Sequence, residues 1–163
     1  MASSSTPEPL RLSRFFRQPP EVVFSVWTNP DSMRRWFRPS KEIRHPFLTV
    51  DFRVGGMFRV GFQGTDEVVD VLRGEFLEIT PPHRLVYTWE WEPPNEHAGI
   101  SSVVTVQFNE KDGGTELLLC HAMADSGMKE RHSLGWCGAL ELFDEFLARH
   151  LDDNTPEGAR LEK

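Results

Sequence analysis

Histidine is the residue type in this sequence best suited to proton transfer near neutral pH, and His121 is the strongest candidate. It lies near the end of a segment with strand-like alternation, and an unperturbed imidazole has a pKa of about 6.5, which suits a general acid or base. A buried histidine with satisfied hydrogen bonds is the alternative interpretation. His132, near the start of a helical segment, is a candidate neighbour of His121. The other histidines fall in predicted loops or at element ends: His45, His83, His97 and His150.

Metal and covalent chemistry find less support. A catalytic zinc site needs three protein ligands, and the sequence offers no third partner for His121 and His132, so no metal is predicted. There is no GxSxG nucleophile motif, and Cys137 has no evident base beside it. Gly55-Gly56 lacks the spacing of a phosphate-binding loop and precedes a strand pattern, which favours a tight turn. No cofactor is predicted.

Composition describes one globular domain and disfavours nucleic acid as a partner. The chain has 163 residues, 39% of them hydrophobic and 26% charged, with a net charge of −7, which repels a phosphate backbone. Arg34, Arg35 and Arg38 form a local basic cluster that we interpret as a solvated helix face. Twelve Phe and five Trp stand against one Tyr, so we expect an interior built from flat aromatic groups.

The sequence shows no targeting signal, and we expect a cytoplasmic protein that does not engage a membrane. Met1 to Pro9 is rich in Ser and Pro and lacks the basic and apolar regions of a secretion signal. No stretch approaches the ~18 apolar residues of a membrane span. The two cysteines, Cys120 and Cys137, do not form a CxxC motif, which is typical of reduced thiols.

The first forty residues predict a strand and two short helices. Apolar and polar residues alternate from Leu10 to Phe16, and Pro19-Pro20-Glu21 then ends the strand and starts a helix. A second start signal at Thr28-Asn29-Pro30-Asp31 supplies a capping side chain followed by proline. This second helix is predicted to end near Trp36, before Pro39.

The rest of the chain predicts an antiparallel meander and one long helix. Six alternating segments follow: 45–54, 57–62, 68–79, 85–91, 100–108 and 115–123. Gly74, inside the third of these, indicates a bulge or a close backbone approach. A helix of about twenty residues then carries an apolar stripe through Trp136, Leu140, Phe143 and Leu147. We therefore expect a flexible N-terminus at 1–9, one domain at 10–150 and a tail at 151–163.

A curved antiparallel sheet of about seven strands wrapped around the last helix is the economical way to bury that stripe, which makes an α+β protein. The sequence also resembles the family of homologues of the activator of heat-shock protein 90 ATPase, within the START-like (SRPBCC) superfamily of the helix-grip fold. The resemblance covers residues 10 to about 150. The segments that carry it are VWTNP at 26–30, DFRVGG at 51–56, Gly74 with FLEI at 76–79, PP at 81–82, RLVYTW at 84–89, SVVTV at 102–106 and GW at 135–136.

The resemblance implies a cavity between the sheet and the last helix. In the wider superfamily such cavities hold lipids, sterols or polyketides, and a few catalyse reactions. The family's order fixes which strand positions point inward, and the polar groups expected there are the Tyr87 and Ser102 hydroxyls, the Trp89 and Trp136 indoles and the His121 imidazole. The full set of expected ligand-binding residues is Trp36, Phe58, Phe62, Tyr87, Trp89, Ser102, Val104, Leu119, His121, His132, Trp136 and Leu140.

Three functions are compatible with these residues. The first is binding of a small hydrophobic molecule, a lipid, sterol or polyketide-like compound, in the cavity. The second is a cyclase, dehydratase or hydrolase that uses the same cavity, with His121 and Tyr87 as its first candidates for a chemical role. The third is a protein-interaction module, including a co-chaperone, for which Phe37 and Trp91 are the candidate surface aromatics. The oligomeric state is left open.

Overall fold

A computed structural model describes residues 8–123 and 126–153 of the chain. The elements are β1 (Leu10–Phe16), α1 (Pro20–Thr28), α2 (Pro30–Trp36), β2 (Leu48–Val50), β3 (Met57–Gln63), β4 (Val69–Thr80), β5 (Arg84–Trp91), β6 (Ser102–Lys111), β7 (Gly114–Ala122) and α3 (Ser126–Asp153). The predicted order of strand, two short helices, six strands and a long helix is therefore confirmed.

The strands form one antiparallel sheet in the order β1-β7-β6-β5-β4-β3-β2. The chain meanders from β2 to β7, and β1 then pairs with β7, so that Leu10 lies opposite His121 and Phe16 opposite Thr115. Curvature enters at β4, where one extra residue lies between Phe76 and Glu78 relative to β5. The predicted helix-grip fold, a curved sheet clasping a long C-terminal helix, is confirmed.

Gly74 marks a close approach of β4 to β5, as its position inside a strand predicted. A Cβ atom at Gly74 would overlap the Thr88 carbonyl oxygen and come within 2.5 Å of the Phe58 ring. The Gly74 position is therefore closed to any side chain. The bulge of β4 lies two residues further on and not at Gly74 itself.

Helices α1 and α2 begin where their start signals predicted. Pro20 opens α1, and the Asn29 side chain accepts hydrogen bonds from the Asp31 and Ser32 amides at the start of α2. The aromatic residues of these helices plug one end of the sheet, because Trp27 stacks on Trp136 of α3 with 6.1 Å between ring centroids. Trp36 packs edge-on against Phe143 of α3 at 4.9 Å.

Helix α3 has 28 residues, longer than the twenty that its apolar stripe predicted. Its stripe residues Trp136, Leu140, Phe143 and Leu147 are all buried. The helix continues to Asp153, into the segment 151–163 predicted as a tail. Residues 154–163 of that tail and residues 1–7 of the predicted N-terminal segment lie outside the described residues. No helix within the described ranges is long and apolar enough to cross a membrane.

The strand predicted over 45–54 is much shorter, since only Leu48–Val50 pairs with β3. Before it, the loop from residue 37 to 47 is held by side chains. The Arg38 guanidinium donates to the Lys41 and Ile43 carbonyls at 3.2 and 2.9 Å. This loop passes close to α3, and it forms one wall of the site described next.

Candidate functional site

A cavity of about 600 Å³ opens at one end of the sheet. Its walls are the 37–43 segment, the β3–β4 connection, the β5–β6 connection and the first half of α3. The lining residues are Phe37, Arg38, Pro39, Ile43, Phe62, Gly64, Asp66, Val68, Asp70, Trp89, Trp91, Asn95, Glu96, His97, Arg131, His132, Leu134, Gly135, Trp136 and Ala139. A volume of this size matches the pockets that enclose small organic molecules.

The floor of this cavity is aromatic. It consists of Phe37, Phe62, Trp89, Trp91 and Trp136, which we call the aromatic floor. Neighbouring ring centroids are 5.3 Å apart for Trp89 and Trp136, 5.5 Å for Phe62 and Trp91, and 5.9 Å for Phe37 and Trp89. These contacts make one continuous apolar surface from residues of α2, β3, β5 and α3.

The rim of the cavity is charged, and most of its charges are already engaged. Arg131 of α3 pairs with Glu96 at 2.6 Å, and the Asn95 amide donates to Asp70 at 3.1 Å. Two apolar side chains, Val68 and Leu134, are also exposed at this rim, with 50% and 74% of their surface accessible. The site thus combines an apolar interior with a polar entrance.

A buried hydrogen-bond network lies behind the floor and fixes the state of His121. The Trp136 indole donates to Nδ1 of His121 at 3.1 Å, and Nε2 of His121 lies 2.8 Å from the Ser102 hydroxyl. The Ser102 hydroxyl donates to the Trp89 carbonyl at 3.1 Å, so its oxygen accepts a hydrogen bond from His121. This assignment makes His121 a neutral imidazole protonated on Nε2.

The environment of His121 does not suit proton transfer near neutrality. Burial, with the nearby His132 as a smaller contribution, lowers the pKa of His121 to about 3. Both ring nitrogens have partners, and the side chain has no exposed surface. The geometry matches a histidine that positions two floor residues, Trp89 and Trp136.

His132 faces His121, as predicted, with 5.4 Å between the ring centroids. Its Nε2 accepts a hydrogen bond from the Trp91 indole at 3.0 Å, and its Nδ1 lies 2.8 Å from the Met128 carbonyl. Neither histidine therefore offers a free nitrogen to a metal. Within the described ranges, no group of three His, Cys, Asp or Glu side chains is arranged to hold a metal ion.

Replacing Trp91 by phenylalanine is expected to raise the pKa of His132. Burial is the main cause of its lowered pKa in the folded chain. In addition, protonation of Nε2 must break the bond from the Trp91 indole, because a protonated nitrogen no longer accepts. W91F removes that bond and leaves Nε2 free to take a proton. The test is an NMR titration of the His132 ring, with W36F as the control, and an unchanged His132 titration in W91F contradicts the prediction.

Four of the twelve expected ligand-binding residues line the 600 Å³ cavity: Phe62, Trp89, His132 and Trp136. Three others line a separate inner cavity of about 30 Å³: Trp36, Phe58 and Tyr87. Ser102 and His121 lie behind the floor, and the remaining three are buried core residues: Val104, Leu119 and Leu140. The eight residues outside the main cavity are separated from it because rings from α1 and α2 fill the space beneath the rest of α3.

The two aromatic residues considered for a protein-contact surface belong to the cavity instead. Phe37 is 5% exposed and Trp91 is half-buried, and both are part of the floor. Phe37 was missed because it follows the last residue of a short helix, where periodicity no longer indicates direction. Most rim residues lie in connections between strands, and only the clustering of Asn95, Glu96 and His97 after β5 offered a sequence signal.

Comparison with known proteins identifies relatives of this chain. The model of the family "Activator of Hsp90 ATPase homolog 1-like protein" matches residues 17–148. No curated protein sequence matches the chain.

Several solved structures are similar to this one. A protein of this type from Silicibacter pomeroyi is 24% identical, covers 87% of this chain and 99% of its own, and has a TM-score of 0.76. A protein from Nitrosomonas europaea is 22% identical, with 89% and 97% covered and a TM-score of 0.74. The solution structure of an Aeromonas hydrophila relative is 24% identical, with 86% and 93% covered and a TM-score of 0.68. At these identities the similarity establishes the fold.

Proposed function

We propose that this chain, which belongs to the Activator of Hsp90 ATPase homolog 1-like family, binds a small, largely apolar molecule in the 600 Å³ cavity. The observation that carries the proposal is the aromatic floor. Five aromatic rings from four separate elements form one surface at the bottom of an open cavity. Covering such a surface with an apolar ligand gains roughly 25 cal/mol for each Å² removed from water.

The charged rim supports entry of a ligand from water. Arg131, Glu96, Asp70 and Asn95 keep the entrance hydrated through their own pairs, so the apolar area meets solvent only inside the cavity. Pockets that bind small molecules have this distribution, apolar inside with a few placed polar groups. The chemical class of the ligand within this description is taken up in the next subsection.

The first experiment is a thermal unfolding screen of the full chain against lipids, sterols, flavonoids and polyketide-like aromatics. A ligand that binds only the folded state stabilises it by mass action, by about 2.7 kcal/mol at one hundred times its Kd. We expect one class to raise the melting temperature in a concentration-dependent way. No stabilisation by any class would contradict the proposal.

Filling the cavity provides a second test. Gly135 of α3 lines the cavity, and a Cβ atom there has only the Pro39 Cβ at 3.9 Å. G135F therefore places an aromatic side chain where the ligand would lie, and we expect it to weaken binding of the compound found in the screen by at least about tenfold, or ~1.4 kcal/mol. G135A is the matched control and should bind as the unmodified chain does. Equal affinity of all three proteins would place the ligand elsewhere.

The family's description supports a second candidate function, contact with an Hsp90-type chaperone. Exposed apolar residues at the β2–β3 turn, Phe52, Val54 and Met57, are the surface that such a partner would cover. The test is the ATPase rate of a purified Hsp90 with and without this chain. An unchanged rate and no co-elution on gel filtration would reject this candidate.

A further inference from the structure

The inner cavity of about 30 Å³ lies directly behind the floor and is separated from the main cavity by one side chain. Phe37 is the only residue that lines both spaces among the described residues. Its ring contacts Trp36 on the inner side at 5.4 Å, and Phe62, Trp89 and Trp136 on the outer side at 5.6, 5.9 and 6.1 Å. Moving this one ring would join the two spaces.

The inner cavity holds polar groups that lack partners, which is costly in a buried position. The Trp36 indole N–H is buried and has no hydrogen-bond acceptor, although 99% of the residue is inaccessible to solvent. The Tyr87 hydroxyl also belongs to this cavity, whose other walls include Phe58, Phe76 and Leu85. Because burial raises the pKa of Tyr87 above its ordinary value, its hydroxyl stays protonated and can both donate and accept.

The volume restricts what can satisfy these groups. A space of about 30 Å³ accommodates one water molecule or one oxygen-bearing group of similar size. A carboxylate or phosphate would have to leave water for an apolar chamber with no cation among its lining residues, and this costs several kcal/mol. The chemistry therefore favours an uncharged oxygen at the end of a slender chain.

The backbone of Phe37 is held while its ring borders open space. Its N–H donates to the Met33 carbonyl at 2.9 Å, and its carbonyl lies 2.9 Å from Nε2 of His45. The main cavity lies on the other side of the ring. Rotation of the side chain into that cavity opens the partition without displacing the end of α2.

We propose that the inner cavity is a subsite for the uncharged terminal oxygen of a slender apolar ligand, such as an alcohol or a ketone, and that Phe37 is the gate that admits it. The apolar body of the ligand would lie on the aromatic floor, and the oxygen would accept a hydrogen bond from the Trp36 indole beside Tyr87. This inference rests on the proposed function, because it concerns the inner end of the same ligand.

The five tryptophans of the chain report on the two spaces separately. Trp89, Trp91 and Trp136 line the main cavity, whereas Trp27 and Trp36 line the inner one. In the ¹⁵N-labelled full chain, each indole N–H gives its own NMR signal, which W36F and W89F assign. The probes are 1-decanol and 1-fluorodecane, which share a chain length but differ in the terminal hydroxyl.

We expect 1-decanol to move the main-cavity indole signals and also the Trp36 signal, which shifts downfield as the N–H gains an acceptor. 1-Fluorodecane should move the main-cavity signals alone and bind roughly 5- to 10-fold more weakly, the effect of one lost hydrogen bond. F37W enlarges the gate and should abolish the Trp36 response to 1-decanol, while F37L should keep it.

The outcomes separate this inference from the proposed function. If 1-decanol moves the main-cavity signals but leaves the Trp36 signal in place, the inner subsite is refuted and ligand binding in the main cavity stands. The same holds if both probes shift the Trp36 signal equally, because the hydroxyl is then irrelevant. If no indole signal responds to either probe, the subsite is refuted as well. The measurements on the unmodified chain decide these cases even if a Phe37 variant fails to fold.

Discussion

Replacing Gly138 by alanine is expected to lower the free energy of unfolding by about 2–3 kcal/mol, although alanine is the better helix former. Gly138 lies inside α3, where the helix crosses the loop that follows α2. A Cβ atom at this position would overlap the Pro39 carbonyl oxygen and lie 3.0 Å from the Pro39 carbonyl carbon. Because both are backbone atoms, no side-chain rotation relieves the overlap, and the loop must move away from α3.

Gly135, one helical turn earlier on α3, supplies the matched control. A Cβ atom there meets only the Pro39 Cβ at 3.9 Å, an ordinary contact. G135A should therefore be neutral or stabilise the fold by up to about 1 kcal/mol, the usual effect of replacing glycine inside a helix. Urea unfolding followed by tryptophan fluorescence measures both variants. Equal stabilities of G138A and G135A would show that α3 and the Pro39 loop are not in close contact.

The G138A prediction also bears on the cavity, because Pro39 and Ala139 are two of its lining residues. A loop displaced from α3 widens the cavity on that side and moves Phe37, which immediately precedes the loop. We therefore expect G138A to change ligand affinity as well as stability, whereas G135A changes neither by much. Glycine at 138 is thus part of what gives the cavity its shape.

The fold could be predicted from the sequence because its signals are local and repeated. Each strand of the meander shows two-residue alternation, and the burial of Tyr87, Trp89, Val104, Leu119 and His121 follows from that alternation once the register is fixed. The capping signals at Asn29 and Pro30 place the short helices in the same way. These are properties of neighbouring residues and need no knowledge of distant contacts.

The position of the cavity could not be predicted in this way. Whether a buried ring lines a space or fills it depends on residues far apart in the chain. Trp27 and Trp36, from the helices near the N-terminus, occupy the room beneath Phe143 that the sequence alone leaves undetermined. The open end exists where no such ring reaches, and its walls are connections whose paths have no periodicity. Alternation therefore identified inward residues but could not separate cavity from core.

Acidification is expected to destabilise the folded chain strongly through His121. Its pKa is about 3 in the folded state, against about 6.5 in an unfolded chain. Below pH 6.5 the unfolded chain therefore takes up a proton that the folded chain does not, and the free energy of unfolding falls as the pH falls. The loss accumulates down to about pH 3, where both states are protonated, and it is on the order of 4 kcal/mol. Above pH 6.5 this contribution is fully present.

His121→Gln isolates this effect from the other titrating groups. A glutamine amide can donate to the Ser102 hydroxyl and accept from the Trp136 indole, as the neutral imidazole does, but it does not titrate. His45 and His132 also have lowered pKa values, and they contribute the same acid sensitivity to both proteins. Urea unfolding of each protein at several pH values between 7 and 3 should therefore show curves that converge as the pH falls, since only the unmodified chain loses the His121 contribution. Parallel curves would mean that His121 is protonated in the folded state, and the hydrogen-bond network behind the aromatic floor would then have to run in the opposite direction.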